Sequence, residues 1–115
     1  MLGRSGGSIA SGGKLIDPEA VEEVLRGCPG VRDVLVSATP HPRFGSLVTA
    51  LVEPDPQQRP RTAALRRRCR ELLEPAARPR RWLAVDRLPR TASGKPARGP
   101  VAERLRDGEL TAETL

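Results

Sequence analysis

Two apolar periods alternate along the 115-residue chain. Val21, Val24 and Leu25 share the spacing of one helical face. The start of that helix is marked by Asp17 as a cap, Pro18 at the first helical position, and Glu19, Glu22 and Glu23 in the opening turns. Gly27 and Pro29-Gly30 end it. Val31 to Thr39 then alternates into the run Val34-Leu35-Val36, which predicts a buried strand, and Ser46 to Glu53 (SLVTALVE) predicts a second. The turn Pro40 to Gly45 makes the two an antiparallel pair. After the Pro-rich loop Pro54 to Pro60, Thr62 can cap a second helix with Leu65, Cys69, Leu72 and Leu73 on one face. Arg66, Arg67, Arg68 and Arg70 lie on the other face, as expected of a solvated surface, and Pro75 and Pro79 end the helix. Arg81 to Val85 predicts a third short strand, Leu88 to Arg98 a loop, and Pro100 the start of a last short helix with Val101 and Leu105 inward. Residues 108–115 have little to bury and are expected to fray. At the front, residues 1–14 (MLGRSGGSIASGGK) fit a flexible linker or a tight two-stranded hairpin with glycine turns. The order predicts an α+β fold: a small mixed β-sheet flanked by about three helices, with an N-terminal β-hairpin.

A chain of this length forms one small domain and buries about 65% of its unfolded surface. That suffices for one layered core but not for a separate cofactor domain. The 30% charged and 37% hydrophobic content is that of a soluble globular protein. No apolar run approaches the roughly 18 residues needed to span a bilayer, and none follows Met1 as a secretory signal would, so a cytoplasmic location is expected. The net charge of +6 points to an anionic partner. Only Phe44 and Trp82 are aromatic, too few for the stacking platforms of single-strand binders, which argues against nucleic acid. Arginine supplies nearly all of the basic charge, and lysine occurs only at Lys14 and Lys95, each directly after a glycine. Cys28 and Cys69 form no CxxC and His41 stands alone, so no metal-ligand set is present and the two cysteines read as packed, reduced thiols.

The densest cluster of chemistry is Leu88-Pro-Arg-Thr-Ala-Ser-Gly-Lys95-Pro-Ala-Arg98. It is a loop restrained by two prolines, with Gly94 available for unusual dihedrals and one lysine between two arginines. An ammonium there can follow charge as it shifts between phosphate and carboxylate oxygens. The GxxxxGK[ST] spacing of a Walker loop is absent.

As a whole, LPRTASGKPAR closely resembles the C-terminal signature of the adenylate-forming superfamily, which comprises acyl-CoA synthetases, peptide-synthetase adenylation domains and luciferases. The opening segment resembles a second signature: Gly3-Arg4, Ile9, Ser11-Gly12-Gly13 and Ile16-Asp17-Pro18-Glu19-Ala20-Val21-Glu22 are similar to GRxDDxIxxSGGxxIxPxEVE. Between them, Gly30 to Val34 and the Pro40 to Gly45 turn are similar to the superfamily's central strand pair. The resemblance runs from about Leu2 to Leu105.

The resemblance implies the small, mobile C-terminal domain of an acid–thiol ligase, residues 1–107 with a hinge near 4–7. It further implies that the large N-terminal domain holding ATP, Mg2+ and the acid is not in this chain, so that Met1 is an engineered or proteolytically exposed start and the isolated chain is inactive. By the same resemblance, Lys95 is the catalytic lysine of adenylation, bridging carboxylate and α-phosphate, and Arg4 contacts the nucleotide. Gly6 is the hinge, and Ser11, Gly12 and Gly13 line the tunnel for the pantetheine of CoA or of an acyl carrier protein, with Lys14 meeting a CoA phosphate. Gly6 and Gly7 stand where relatives carry aspartates, and Pro96 where an aliphatic residue is usual. SGGKLIDPEAVE resembles the acyl-CoA synthetases more than the peptide synthetases. From the basic charge alone, a different reading stays open: a stand-alone docking module for an acidic carrier protein or nucleic acid.

Overall fold

The computed structural model describes residues 9–11, 14–41, 43, 45–88, 90–94 and 112–115. A short hairpin opens the chain, β1 (Ile9–Ser11) and β2 (Lys14–Ile16), with Ile9 opposite Ile16 and both buried. Of the two readings for this segment, the hairpin is the one the described residues form. Helix α1 (Pro18–Arg26) starts where local chemistry places it. Asp17 is extended and its Oδ1 accepts the Glu19 amide at 3.1 Å, with Pro18 in the first turn.

Two long strands, β3 (Val31–His41) and β4 (Gly45–Pro54), pair antiparallel, with Leu35 opposite Leu51 and His41 opposite Gly45. They take in Pro40, His41 and Gly45 of the segment expected as a turn. After α2 (Thr62–Leu72) and the 3₁₀ turn Pro75–Ala77, β5 (Arg81–Val85) pairs parallel to β4, which makes the sheet mixed. The fourth strand, β6 (Ala112–Thr114), pairs antiparallel to β5. The strand order is β3-β4-β5-β6. The fold is therefore the α+β class expected, with two α-helices among the described residues; the helix expected from Pro100 lies outside them.

Alternation along the strands divides the core. Val34, Val36, Val48, Ala50, Val52 and Trp82 join Val21, Leu25, Leu65 and Cys69 of the helices and the two hairpin isoleucines. Leu35, Leu51, Val85 and Leu88 form a second cluster from the opposite side-chain parity, on the other sheet face. The helices cover one face, and the segment after β5 covers the other.

Several expectations need correction. Residues 112–115 do not fray: β6 extends the sheet, the Leu115 amide donates to the Trp82 carbonyl at 3.0 Å, and Leu115 packs on the main core. Thr62 is not the cap of α2, because Arg61 occupies that position without a side-chain bond. Leu72 is 57% exposed although it shares the apolar face, since α2 ends there and Leu73 turns inward instead. Arg68 is not on a free basic face. Its Nε donates to the Val24 carbonyl at 2.8 Å and ties α2 to α1.

Edge strand β3 is closed by carboxylates. Glu22 is buried, and its Oε2 accepts the Val36 amide at 2.8 Å, while Asp33 Oδ1 accepts the Val34 amide at 2.8 Å. Cys28 and Cys69 are buried free thiols, and burial with Cys28 nearby pushes the Cys69 thiol up to about 11.

Gly30 precedes β3 at φ +87°, and a Cβ there would lie 2.6 Å from the Pro60 nitrogen and 2.7 Å from the Gln58 carbonyl oxygen. Gly94 has the same φ, and no described residue lies within 4 Å of where its Cβ would be. Gly30→Ala is therefore expected to destabilise by about 2–4 kcal/mol through strain plus backbone overlap, and Gly94→Ala by about 1 kcal/mol through strain alone. Urea denaturation of both variants checks this; equal losses would refute the close packing at Gly30.

Candidate functional site

The segment leaving β5 is anchored before it reaches its chemistry. Leu88 is buried against Leu35, Leu51 and Val85, and its amide donates to Glu53 Oε1 at 3.1 Å. Two residues on, Arg90 spans two strands. Its Nη2 donates to Glu53 Oε1 on β4 at 2.8 Å, and its Nη1 donates to Asp33 Oδ2 on β3 at 2.8 Å. Asp33 and Glu53 are register partners in the β3–β4 ladder, so their side chains share one face. That is the second sheet face, away from the helices.

Both carboxylates are well satisfied. Glu53, with its side chain 4% exposed, accepts Leu88 N–H and Arg90 at one oxygen and lies 3.5 Å from Arg32 Nε at the other. Asp33 also accepts Arg26 Nε from α1 at 3.3 Å. Burial alone would push the Asp33 carboxyl up. Hydrogen bonds from Arg90, the Val34 amide and Arg26 outweigh it and hold the group below its ordinary value. The Arg90 guanidinium is pushed up in return, chiefly by its bond to Asp33.

The same guanidinium reaches the loop's far end. Arg90 Nη1 donates to the Gly94 carbonyl at 3.3 Å, the Gly94 amide donates to the Thr91 carbonyl at 2.9 Å, and Thr91 Oγ1 lies 3.0 Å from Ser93 Oγ. Residues 90–94 are thus a closed turn whose exit peptide is tied to the sheet. Sequence reading singled out the loop but not Asp33 or Glu53 as its anchors. A glutamate closing the apolar strand Ser46 to Glu53 was the available signal.

A second feature lies on the helix side. A cavity of about 400 Å3 is lined by Arg66, Arg70, Arg78, Arg80, Trp82 and Cys69, with Pro75 and Pro79. Arg78 is fixed by donating to the Leu73 and Arg70 carbonyls at 3.0 and 3.2 Å. Among the described residues, no ion pair neutralises these four arginines. The cavity suits an anion with a flat or apolar part. Lys14 Nζ lies 3.2 Å from Oε1 of Glu74, the residue before Pro75, in an exposed pair. Such a pair is worth little and exchanges readily for another anion.

Of the residues expected to act, Lys14 and the backbone of Ser11 are described, at the facing ends of the hairpin. Arg4, Gly6, Gly12, Gly13 and Lys95 lie outside the described residues. No group of three or more His, Cys, Asp or Glu that could hold a metal occurs among the described residues. No helix among them is long and apolar enough to cross a membrane.

Residues 20–95 match the family described as the AMP-binding enzyme C-terminal domain. The chain is 45% identical over 96 residues to the medium/long-chain-fatty-acid–CoA/3-oxocholest-4-en-26-oate–CoA ligase of Mycobacterium marinum, a match covering 84% of this chain and 18% of that protein. It is 37% identical over 106 residues to the 4-chlorobenzoate–CoA ligase of a Pseudomonas species, covering 91% and 20% respectively. Among solved structures, apo MatB from Rhodopseudomonas palustris superposes with a TM-score of 0.80 at 30% identity, covering 94% of this chain and 22% of that one. The chain spans about a fifth of the length of these relatives.

The Asp33 geometry has a pH consequence. A carboxyl held below its ordinary value in the fold contributes stability above its unfolded pKa, about 3.9, and loses it as pH falls through the lower folded value. Asp33→Asn is therefore expected to cost about 1–2 kcal/mol at pH 7, with the gap to the parent chain closing below about pH 4. Urea titrations across that range check it; a gap constant with pH would mean that Asp33 does not act through its charge.

Proposed function

Because this chain belongs to the AMP-binding enzyme C-terminal domain family, we propose that it serves as the mobile small domain of an ATP-dependent acid–thiol ligase. The observation that carries this reading is the family match over residues 20–95, which closes on Lys95 itself. In the first half-reaction a carboxylate oxygen attacks the α-phosphorus of ATP, giving acyl-AMP and releasing pyrophosphate. Lys95 is the catalytic residue of that step. Its ammonium offsets the repulsion between two anions and stabilises charge on the transferring phosphoryl group. Arg4 contacts the nucleotide, and ATP and Mg2+ are held mainly by the N-terminal domain of the same enzyme.

In the second half-reaction the domain turns about Gly6 and a thiol displaces AMP from the acyl group. Glycine at that position leaves the backbone free to rotate. Ser11, Gly12 and Gly13 line the path of the pantetheine, with Lys14 toward a phosphate of CoA. The arginine-lined cavity supports the approach of an anionic thiol donor to this domain. CoA is the donor favoured, since the relatives reported above are CoA ligases. An acyl carrier protein is the alternative. Those relatives act on different acids, so this domain supplies the steps they share and the acid is selected elsewhere. A cytoplasmic site of action fits a ligase using ATP and CoA.

Lys95→Ala in the full-length ligase is expected to slow pyrophosphate release from acid and ATP by two to three orders of magnitude, the equivalent of about 3–4 kcal/mol. Thioester formation from synthetic acyl-AMP should be nearly spared, because the loop has turned away by then. Lys95→Arg should rescue poorly. Equal losses in both half-reactions would remove the adenylation role.

A further inference from the structure

We propose that Arg90 is a positioning residue for adenylation, acting through the peptide that immediately precedes Lys95. The inference rests on the ligase reading above and adds a residue to it. Three features of the geometry carry it.

The first is that one guanidinium makes three kinds of contact. It donates to a carboxylate on each of two strands and to the Gly94 carbonyl. A planar fork with several donors can do this, whereas an ammonium cannot span the same set at once. The second is that the strand-side partners are fixed. Glu53 is buried and bonded to Leu88 N–H as well, and Asp33 is held by the Val34 amide and by Arg26. Arg90 is thus referenced to the sheet and to α1. The third is that Gly94 needs this support. It sits at φ +87° with no described residue within 4 Å of where a Cβ would be, so packing among the described residues does not hold it. Its placement comes from the Thr91 carbonyl and from Arg90.

Arg90 therefore fixes the Gly94 carbonyl, the last described group before Lys95. A catalytic group displaced by about 1 Å can cost on the order of 100-fold in rate. Binding of ATP and acid belongs to other parts of the enzyme, so the loss should fall on kcat and leave KM almost unchanged.

The test uses the full-length ligase with Arg90→Lys, Arg90→Met and Glu53→Gln, alongside Lys95→Ala. Pyrophosphate release and thioester formation from synthetic acyl-AMP are measured separately, and thermal midpoints are recorded. Arg90→Met is expected to lower kcat of adenylation roughly 30- to 100-fold with KM for ATP and acid within about two-fold, and to leave the second half-reaction near the parent rate. Arg90→Lys should retain the fold and still lose about 10-fold, and Glu53→Gln should lose less than Arg90→Met. Should Arg90→Met fail to fold, Arg90→Lys carries the test. Adenylation at the parent rate in Arg90→Lys, or equal losses in both half-reactions, would overturn the positioning role. If Lys95→Ala itself adenylates normally, the ligase reading fails; if Lys95→Ala is crippled and the Arg90 variants are not, only this inference fails.

Discussion

A carboxylate buried at the margin of an apolar sheet must have its oxygens satisfied, and Glu53 meets that demand with three groups from two parts of the chain. Leu88 N–H and Arg90 share one oxygen, and Arg32 approaches the other. Arg90 and Arg32 are its charged partners, and removing either leaves the buried carboxylate less well compensated, at a cost above that of an average hydrogen bond. Satisfying Glu53 therefore draws the segment after β5 onto the second sheet face. Leu88 fills the apolar patch there, and Arg90 lands between Glu53 and Asp33. The turn at residues 90–94 and the direction of its exit follow from that placement.

This constraint also separates two kinds of surface. On the second face, charged groups pair closely and with short bonds, so the loop is held. On the helix face, Arg66, Arg70 and Arg80 crowd around Trp82 without carboxylates among the described residues, so charge is left available. The ligase role proposed above calls for both properties: one rigid contact for chemistry and one receptive surface for an incoming anion. They lie on opposite faces of one thin sheet, an arrangement that fits the proposed rotation between half-reactions.

Much of the fold was legible because its signals are local. Asp17-Pro18 sets the start of α1, the alternation through Val34-Leu35-Val36 sets β3, and Arg81 to Val85 forms β5 as read. Strand β6 was not legible: three residues without periodicity become a strand only because β5 offers an unpaired edge. Glu22 read as surface charge in an opening turn, yet it is buried, because its partner amide at Val36 lies 14 residues away. The same holds for the site. The loop from Leu88 to Arg98 stood out by its glycine, prolines and lone lysine, while Asp33 and Glu53 lie 57 and 37 residues from Arg90, and only Glu53, at the end of an apolar strand, carries a local mark. Arg68 looked like part of a solvated stripe until the packing of α2 on α1 brought it to the Val24 carbonyl.

The central claim is that Glu53 and Arg90 act as one unit. A double-mutant cycle on the stability of the chain, with Glu53→Gln, Arg90→Met and the pair, tests it most directly. A coupling of about 1–2 kcal/mol is expected, the double variant being less impaired than the sum of the single ones. Effects that add to within about 0.3–0.5 kcal/mol would show that the two residues do not depend on each other, and would contradict it.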